Sequence, residues 1–208
     1  SGDNNLDRIP GQFEGINVLN LNSDVALGSS DDPVDLTDAI DADFDSAPDL
    51  VEVVRARDDL ALKADGETEI DVQRAFGQVD LDGASNVTVN HENADKAITI
   101  GANEQPTGAV NVTDTALGEF DASSSGDTDG RISVNGGTDV TIDATSEYTG
   151  SPASATAGAI GVGGNVAEGG GFTADEAPSG DVTISKTLNS DGGDQTGGRI
   201  NVNGGSTV

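Results

Sequence analysis

Asp41, Asp43 and Asp45, followed by Asp49 and Glu52, place carboxylates at positions 1, 3, 5, 9 and 12 of one short stretch. That is the ligand spacing of an EF-hand calcium loop, in which alternating Asp residues and a final bidentate Glu supply most of the oxygens the ion requires. Ser46 stands where such a loop has its turn-forming Gly, Pro48 stands where it has an aliphatic residue, and no helical periodicity flanks the segment. Calcium is therefore the candidate cofactor of Asp41, Asp43, Asp45, Asp49 and Glu52. The competing reading is a solvated acidic loop, because residues 29–49 carry eight Asp and little alternation.

Other chemistry has less to build on. His91 is the single histidine, so no multi-histidine zinc site can form. No Gly-x-Ser-x-Gly context accompanies it, and its place after a strand predicts a surface turn. Carboxylate pairs abound, but the sugar grooves in which such pairs work usually stack rings on Trp or Tyr; here there is no Trp, and Tyr148 is the one Tyr. The clusters Gly163-Gly164, Gly169-Gly170-Gly171 and Gly192-Gly193 lack the lysine and helix of a phosphate-binding loop and read as turns. Arg131 and Arg199 hold matching repeat positions, which suits either a ladder across coils or a solvated strand edge. Asn86-Val87-Thr88 and Asn111-Val112-Thr113 are sequons. None of this assembles a catalytic set, and the chain reads as a non-enzyme.

The elements that position these groups are short strands. Apolar residues alternate at Val51/Val53, Leu60/Leu62, Ile70/Val72, Val79/Leu81, Val87/Val89, Ile98/Ile100, Val110/Val112, Ile132/Val134, Val140/Ile142, Ile160/Val162, Val182/Ile184 and Ile200/Val202. Each pair predicts a strand with one buried face, separated from the next by turn formers. Residues 144–158 and 163–179, rich in Ala, Gly, Ser and Thr, read as long loops. With no Cys, Met or Trp, the interior must be Val, Ile, Leu and Ala, which suits narrow stacked strands.

One stretch returns almost unchanged and a second returns in pattern. Gly130-Arg131-Ile132-Ser133-Val134-Asn135-Gly136-Gly137 recurs from Gly198 to Gly205, an offset of 68 (198 − 130), and Gly108–Thr115 resembles Gly180–Thr187, an offset of 72 (180 − 108). Constant strands with variable loops are the mark of a solenoid, in which insertions bulge outward without disturbing the stack. The expected fold is all-β, a repeat β-solenoid of parallel β-helix type with coils of about 20 residues; a β-sandwich is the alternative. The expected organisation is an acidic short-strand region over 1–107 and Gly-rich solenoid repeats over 108–208, two copies of a unit of about 70 residues. The second copy stops at Val208 where the first continues through Thr141, so a longer parent chain is expected.

A formal net charge of −29 excludes nucleic acid as a partner, because phosphate backbones need basic footprints. Such acidity keeps a concentrated assembly soluble, resists high salt, or collects divalent cations. No apolar run is long enough to form a transmembrane segment.

Gln12-Phe13-Glu14-Gly15-Ile16-Asn17-Val18-Leu19-Asn20-Leu21 and Leu50-Val51-Glu52-Val53-Val54 resemble rungs of bacterial surface-layer proteins and large secreted adhesins. Gly180-Asp181-Val182-Thr183-Ile184-Ser185 and Gly198–Gly205 resemble haemagglutinin-like and surface-layer β-helical repeats. The resemblance implies an extracellular or cell-surface location and self-assembly with other copies, helped by calcium. It implies cell-surface polysaccharide as a further partner, and it carries over no catalytic residue. The Gly-Gly-x-Gly-x-Asp nonapeptide of calcium-roll repeats is absent; Asp191-Gly192-Gly193-Asp194 comes nearest. A segment of a surface-layer lattice subunit or fibrous adhesin is the leading expectation. A receptor- or glycan-binding module of an adhesin or phage fibre is the alternative, and a halophilic carbohydrate-active enzyme is third.

Overall fold

The computed structural model describes residues 18–36, 49–64, 66–92, 96–115, 130–148, 154–167, 171–190 and 194–208. The chain winds in successive coils, each giving one strand to each of two sheets. The first coil holds β1 (Val18–Ser23) and β2 (Val34–Asp35), and the second holds β3 (Leu50–Ala56) and β4 (Leu60–Lys63). The third holds β5 (Glu69–Ala75) and β6 (Val79–Asp82), and the fourth β7 (Val87–His91) and β8 (Ile98–Ile100). The fifth holds β9 (Val110–Asp114) and β10 (Ile132–Val134). The sixth is longer, with β11 (Val140–Tyr148), β12 (Ser154–Thr156) and β13 (Ile160–Val162), then a hairpin of β14 (Gly164–Val166) and β15 (Phe172–Ala174). The seventh holds β16 (Val182–Ser190), β17 (Asp194–Thr196) and β18 (Ile200–Val202).

In the first sheet, β1-β3-β5-β7-β9-β11-β16 pair in parallel. In the second, β2-β4-β6-β8-β10-β13-β18 do the same. β12 and β17 begin a third parallel face on the last two coils. The architecture is the expected all-β, parallel β-helix-like solenoid; a sandwich would have required antiparallel pairing.

Residues in register from coil to coil form the core. Val51, Ile70, Val87, Val110, Val140 and Val182 make one inward column in the first sheet. Leu60, Val79, Ile98, Ile132, Ile160 and Ile200 make the facing column in the second. All of these except Ile200 are buried. Identical or near-identical branched side chains stack directly because parallel pairing repeats every position at the strand spacing of about 4.8 Å. Each coil therefore covers the apolar row of its neighbour.

The 68-residue match does not join adjacent coils. Ile132 stacks on Ile160 and Ile160 on Ile200, so the copies lie two coils apart. The corner after the second sheet shows why. Its successive positions are Gly101, Asn135, Gly163 and Asn203, each donating its N–H to the carbonyl of the coil below. Gly101 and Gly163 have φ of +73° and +70°. A methyl at either would run into the carbonyl of Asn135 or Asn203 on the next coil. A coil that turns on Asn-Gly-Gly thus sits on one that turns on Gly, and the period is a pair.

Two segments read as long loops contain regular structure. β11 extends through residue 148, β12 follows at Ser154–Thr156, and the hairpin joins the second sheet through β14, antiparallel to β10, with β15 antiparallel to β14. The Val166 N–H donates to Ser133 Oγ at 3.0 Å, and the Phe172 ring lies over Gly161 and Gly164, where a methyl would strike it. Strands of three residues built from Ser, Ala, Gly and Thr show too little alternation to announce themselves.

Candidate functional site

Asp41, Asp43 and Asp45 lie outside the described residues. Asp49 is exposed at the entry to β3, and its carbonyl accepts the Glu69 N–H at 2.9 Å. Glu52 sits within β3 on the outer face of the first sheet, where its carboxylate accepts from Asn20 Nδ2 at 2.6 Å and from the Gln73 amide. Asp71 stands beside it in register, and burial first and the Glu52 charge second raise its pKa above the usual carboxylate value. Among the described residues, no three His, Asp or Glu side chains group closely enough to hold a metal ion.

His91 corrects the surface-turn expectation. It is fully buried in the fourth coil, stacked between Ala75 and Asp114. Its Nε2 lies 3.0 Å from the Gly77 carbonyl, which can only accept, so Nε2 carries a hydrogen. Nδ1 faces Asp114 Oδ1 at 3.4 Å, both side chains being fully enclosed. At that depth His91 cannot reach a substrate. Strand parity held the clue: in Val87-Thr88-Val89-Asn90-His91 the odd positions point inward, as do Val110, Val112 and Asp114 in β9.

The same column continues through Ala144 to Lys186. Lys186 Nζ donates to the carbonyls of Gly158 at 2.5 Å and Gly198 at 2.9 Å, tying β16 to the chain just before β13 and β18. Burial pushes its pKa down to about 8. Ser146, two residues along β11 from Ala144, is also fully buried. The interior thus turns polar along one line toward the wide end of the stack.

Outside the first sheet, Glu52 and Asp71 are followed in register by Thr88, Asn111, Thr141 and Thr183. A second outer column runs Asn90, Thr113, Asp143 and Ser185, and a third pairs Thr145 with Thr187. The early coils therefore present acids on this face and the later coils present hydroxyls and amides. On the four strands β7, β9, β11 and β16, Asp143 and Glu147 are the charged outward residues among those described. Asn111, the Asn of one sequon, lies exposed at the centre of this surface.

The other sequon is structural. Asn86 Oδ1 accepts the Ala109 N–H at 2.9 Å, holding one coil's corner to the next. Asp139 does the same for the Asp181 N–H at 2.8 Å, and Ser206 Oγ donates to Asp181 at 2.7 Å. Hydroxyl bonds from Ser206 and Thr207 hold the pKa of Asp181 below its ordinary value. Arg131 and Arg199 stand two coils apart with Ala159 at the position between them, and neither forms an ion pair among the described residues. They do not make a continuous ladder.

No family model matches the chain, and comparison found no similar curated protein and no similar solved structure. Among the described residues no helix is long and apolar enough to cross a membrane.

Proposed function

We propose that this chain is a structural cell-surface protein, a segment of a surface-layer lattice subunit or fibrous adhesin that acts by self-assembly outside the cell. The observation that supports the reading most is the fold itself: coils stack in parallel register, each covering the apolar row of its neighbour, so that repetition adds length and outer surface. The early coils carry Glu52 and Asp71 in register on the outer face of the first sheet, and acidic faces discourage unordered contact. Calcium bridging between carboxylates, with Asp41, Asp43, Asp45, Asp49 and Glu52 as the first ligands to examine, would let such acidic copies approach.

Electron microscopy of the protein on cells and after purification, with calcium and with chelator, tests this. Ordered sheets or fibres that dissolve in chelator are expected. Sheets indifferent to chelator would remove the bridging role and leave assembly standing, and isolated particles in every condition would refute assembly itself.

A further inference from the structure

We propose that Asn111 carries an N-linked glycan, added by a transferase that takes its sugar from a lipid phosphate. The proposal rests on the cell-surface reading, since chains sent outside the cell are the ones that meet such a donor.

The two sequons differ in what the fold does with their asparagines. Asn86 has a structural duty: its Oδ1 accepts the Ala109 N–H at 2.9 Å, and it lies so close on Gly108 that a methyl there would strike the amide. Asn20, Asn135, Asn165 and Asn203 each donate from Nδ2 to a neighbouring coil or hairpin atom. Asn111 makes no side-chain hydrogen bond among the described residues, although it sits in mid-strand, where Asn is disfavoured. Folding therefore gives no reason for Asn at 111, and the sequon supplies one.

Its surroundings suit the modification. β9 alternates buried Val110, Val112 and Asp114 with exposed Asn111 and Thr113, so the amide and the sequon hydroxyl leave the same face, about 6.6 Å apart along the strand. Thr88 and Thr141 flank Asn111 in register at about 4.8 Å, and side chains that short leave room beside the amide. Their hydroxyls can donate to and accept from those of a sugar.

In the transfer, Asn111 Nδ2 bonds to the anomeric carbon of the sugar as the bond from that carbon to the lipid phosphate oxygen breaks. The phosphate leaves with the electron pair, and the amide proton passes to a base of the transferase. β9 is paired with β7 on one edge and β11 on the other, so the folded strand cannot leave the sheet to enter an enzyme. The sugar is therefore added before coils four to six close, and the outward position of Asn111 lets the modified chain still fold. A glycan standing there keeps this face toward solvent, and contacts between copies must use other faces.

Mass spectrometry of protein taken from the surface of the cells that make it, after digestion with trypsin, tests this. Cleavage at Arg74, Lys96 and Arg131 separates the sequons, since Ala75–Lys96 holds Asn86 and Ala97–Arg131 holds Asn111. Added sugar mass on Ala97–Arg131, placed on Asn111 by fragmentation, is expected. Asn111→Gln and Thr113→Val, made in the same cells, should each lose it, Thr113→Ser should keep it, and circular dichroism should show all three folded. A bare Asn111 in the wild type overturns the proposal, as does sugar mass that survives Asn111→Gln and so sits on a hydroxyl. A bare Asn111 on protein that still forms sheets leaves the self-assembly reading standing; glycosylated protein seen only as isolated particles upholds the glycan and removes that reading.

Discussion

Replacing His91 by Val removes the imidazole from beside the Asp114 carboxyl group, and Asp114→Val removes the carboxyl group from beside the imidazole. Both side chains are fully enclosed and 3.4 Å apart. Breaking such a buried pair from one side is expected to destabilise the fold by about 3–5 kcal/mol, because a polar group is left where water cannot solvate it. The double replacement puts two β-branched side chains of similar total volume into a column that already holds Ala75 and Ala144. It still leaves the buried Gly77 carbonyl without its His91 donor, so it is expected about 1–3 kcal/mol below the parent, far short of the two singles summed, giving a coupling energy of about 3 kcal/mol or more. A domain has about 5–15 kcal/mol in all, so either single change removes a large share, about 6–20 °C in Tm at roughly 2–4 °C per kcal/mol. Urea unfolding of the four proteins at neutral pH, followed by circular dichroism, measures the cycle. Single variants within 1 kcal/mol of the parent, or a double variant as unstable as the two singles summed, would refute the reasoning; steps in the transition would instead show coils four and five melting apart from the rest.

Gly163→Ala should destabilise by about 1–3 kcal/mol, because φ is +70° and the methyl meets the Asn203 carbonyl, whereas Gly197→Ala, with nothing within 4 Å, should be neutral or slightly stabilising in the same melts. Ile132→Ala, at the centre of the second-sheet column, should cost about 2–5 kcal/mol by chemical denaturation, and Ile200→Ala on the exposed last coil much less. Lys186 has a folded pKa of about 8 against 10.5 when free, so between those values the unfolded chain binds more protons. Stability should therefore rise as pH climbs from about 8 to about 10.5 and be indifferent to this group below 8. Lys186→Met should flatten that rise in urea titrations at stepped pH.

The strand inventory was legible because Val and Ile alternate at nearly every core position, and register follows from stacking like on like. What sequence alone could not give was the partner of each strand. The 68-residue match looked like one long unit, yet Ile132 and Ile200 are separated by Ile160, whose own coil turns on Gly163 and so escapes the Asn-Gly-Gly pattern. His91 was misplaced because chemistry outweighed parity: a lone histidine after a strand suggests a turn, while Val87 and Val89 already directed it inward. The hairpin over Gly161 was hidden because Val166 and Phe172 are single apolar residues amid glycine, and nothing local fixes which surface they cover. For the calcium loop, sequence gives ligand spacing, and the structure adds that Asp49 and Glu52 enter a strand and not a helix.

The alternation of Asn and Gly at one corner has a bearing on how such a chain can change its length. Removing or inserting a single coil would bring Asn against Asn or Gly against Gly, and the first of these drives a side-chain-bearing residue into a neighbouring carbonyl. Adding or removing two coils among the last four restores the neighbours at that corner, whereas the earlier coils stack Lys63 on Asp82 there and follow no such rule. Within the alternating part, length therefore changes most readily in even steps, each moving the ends of the solenoid by about 9.6 Å, two strand spacings. In whatever lattice or fibre such a protein enters, that part of the stack would set spacing in pairs of coils.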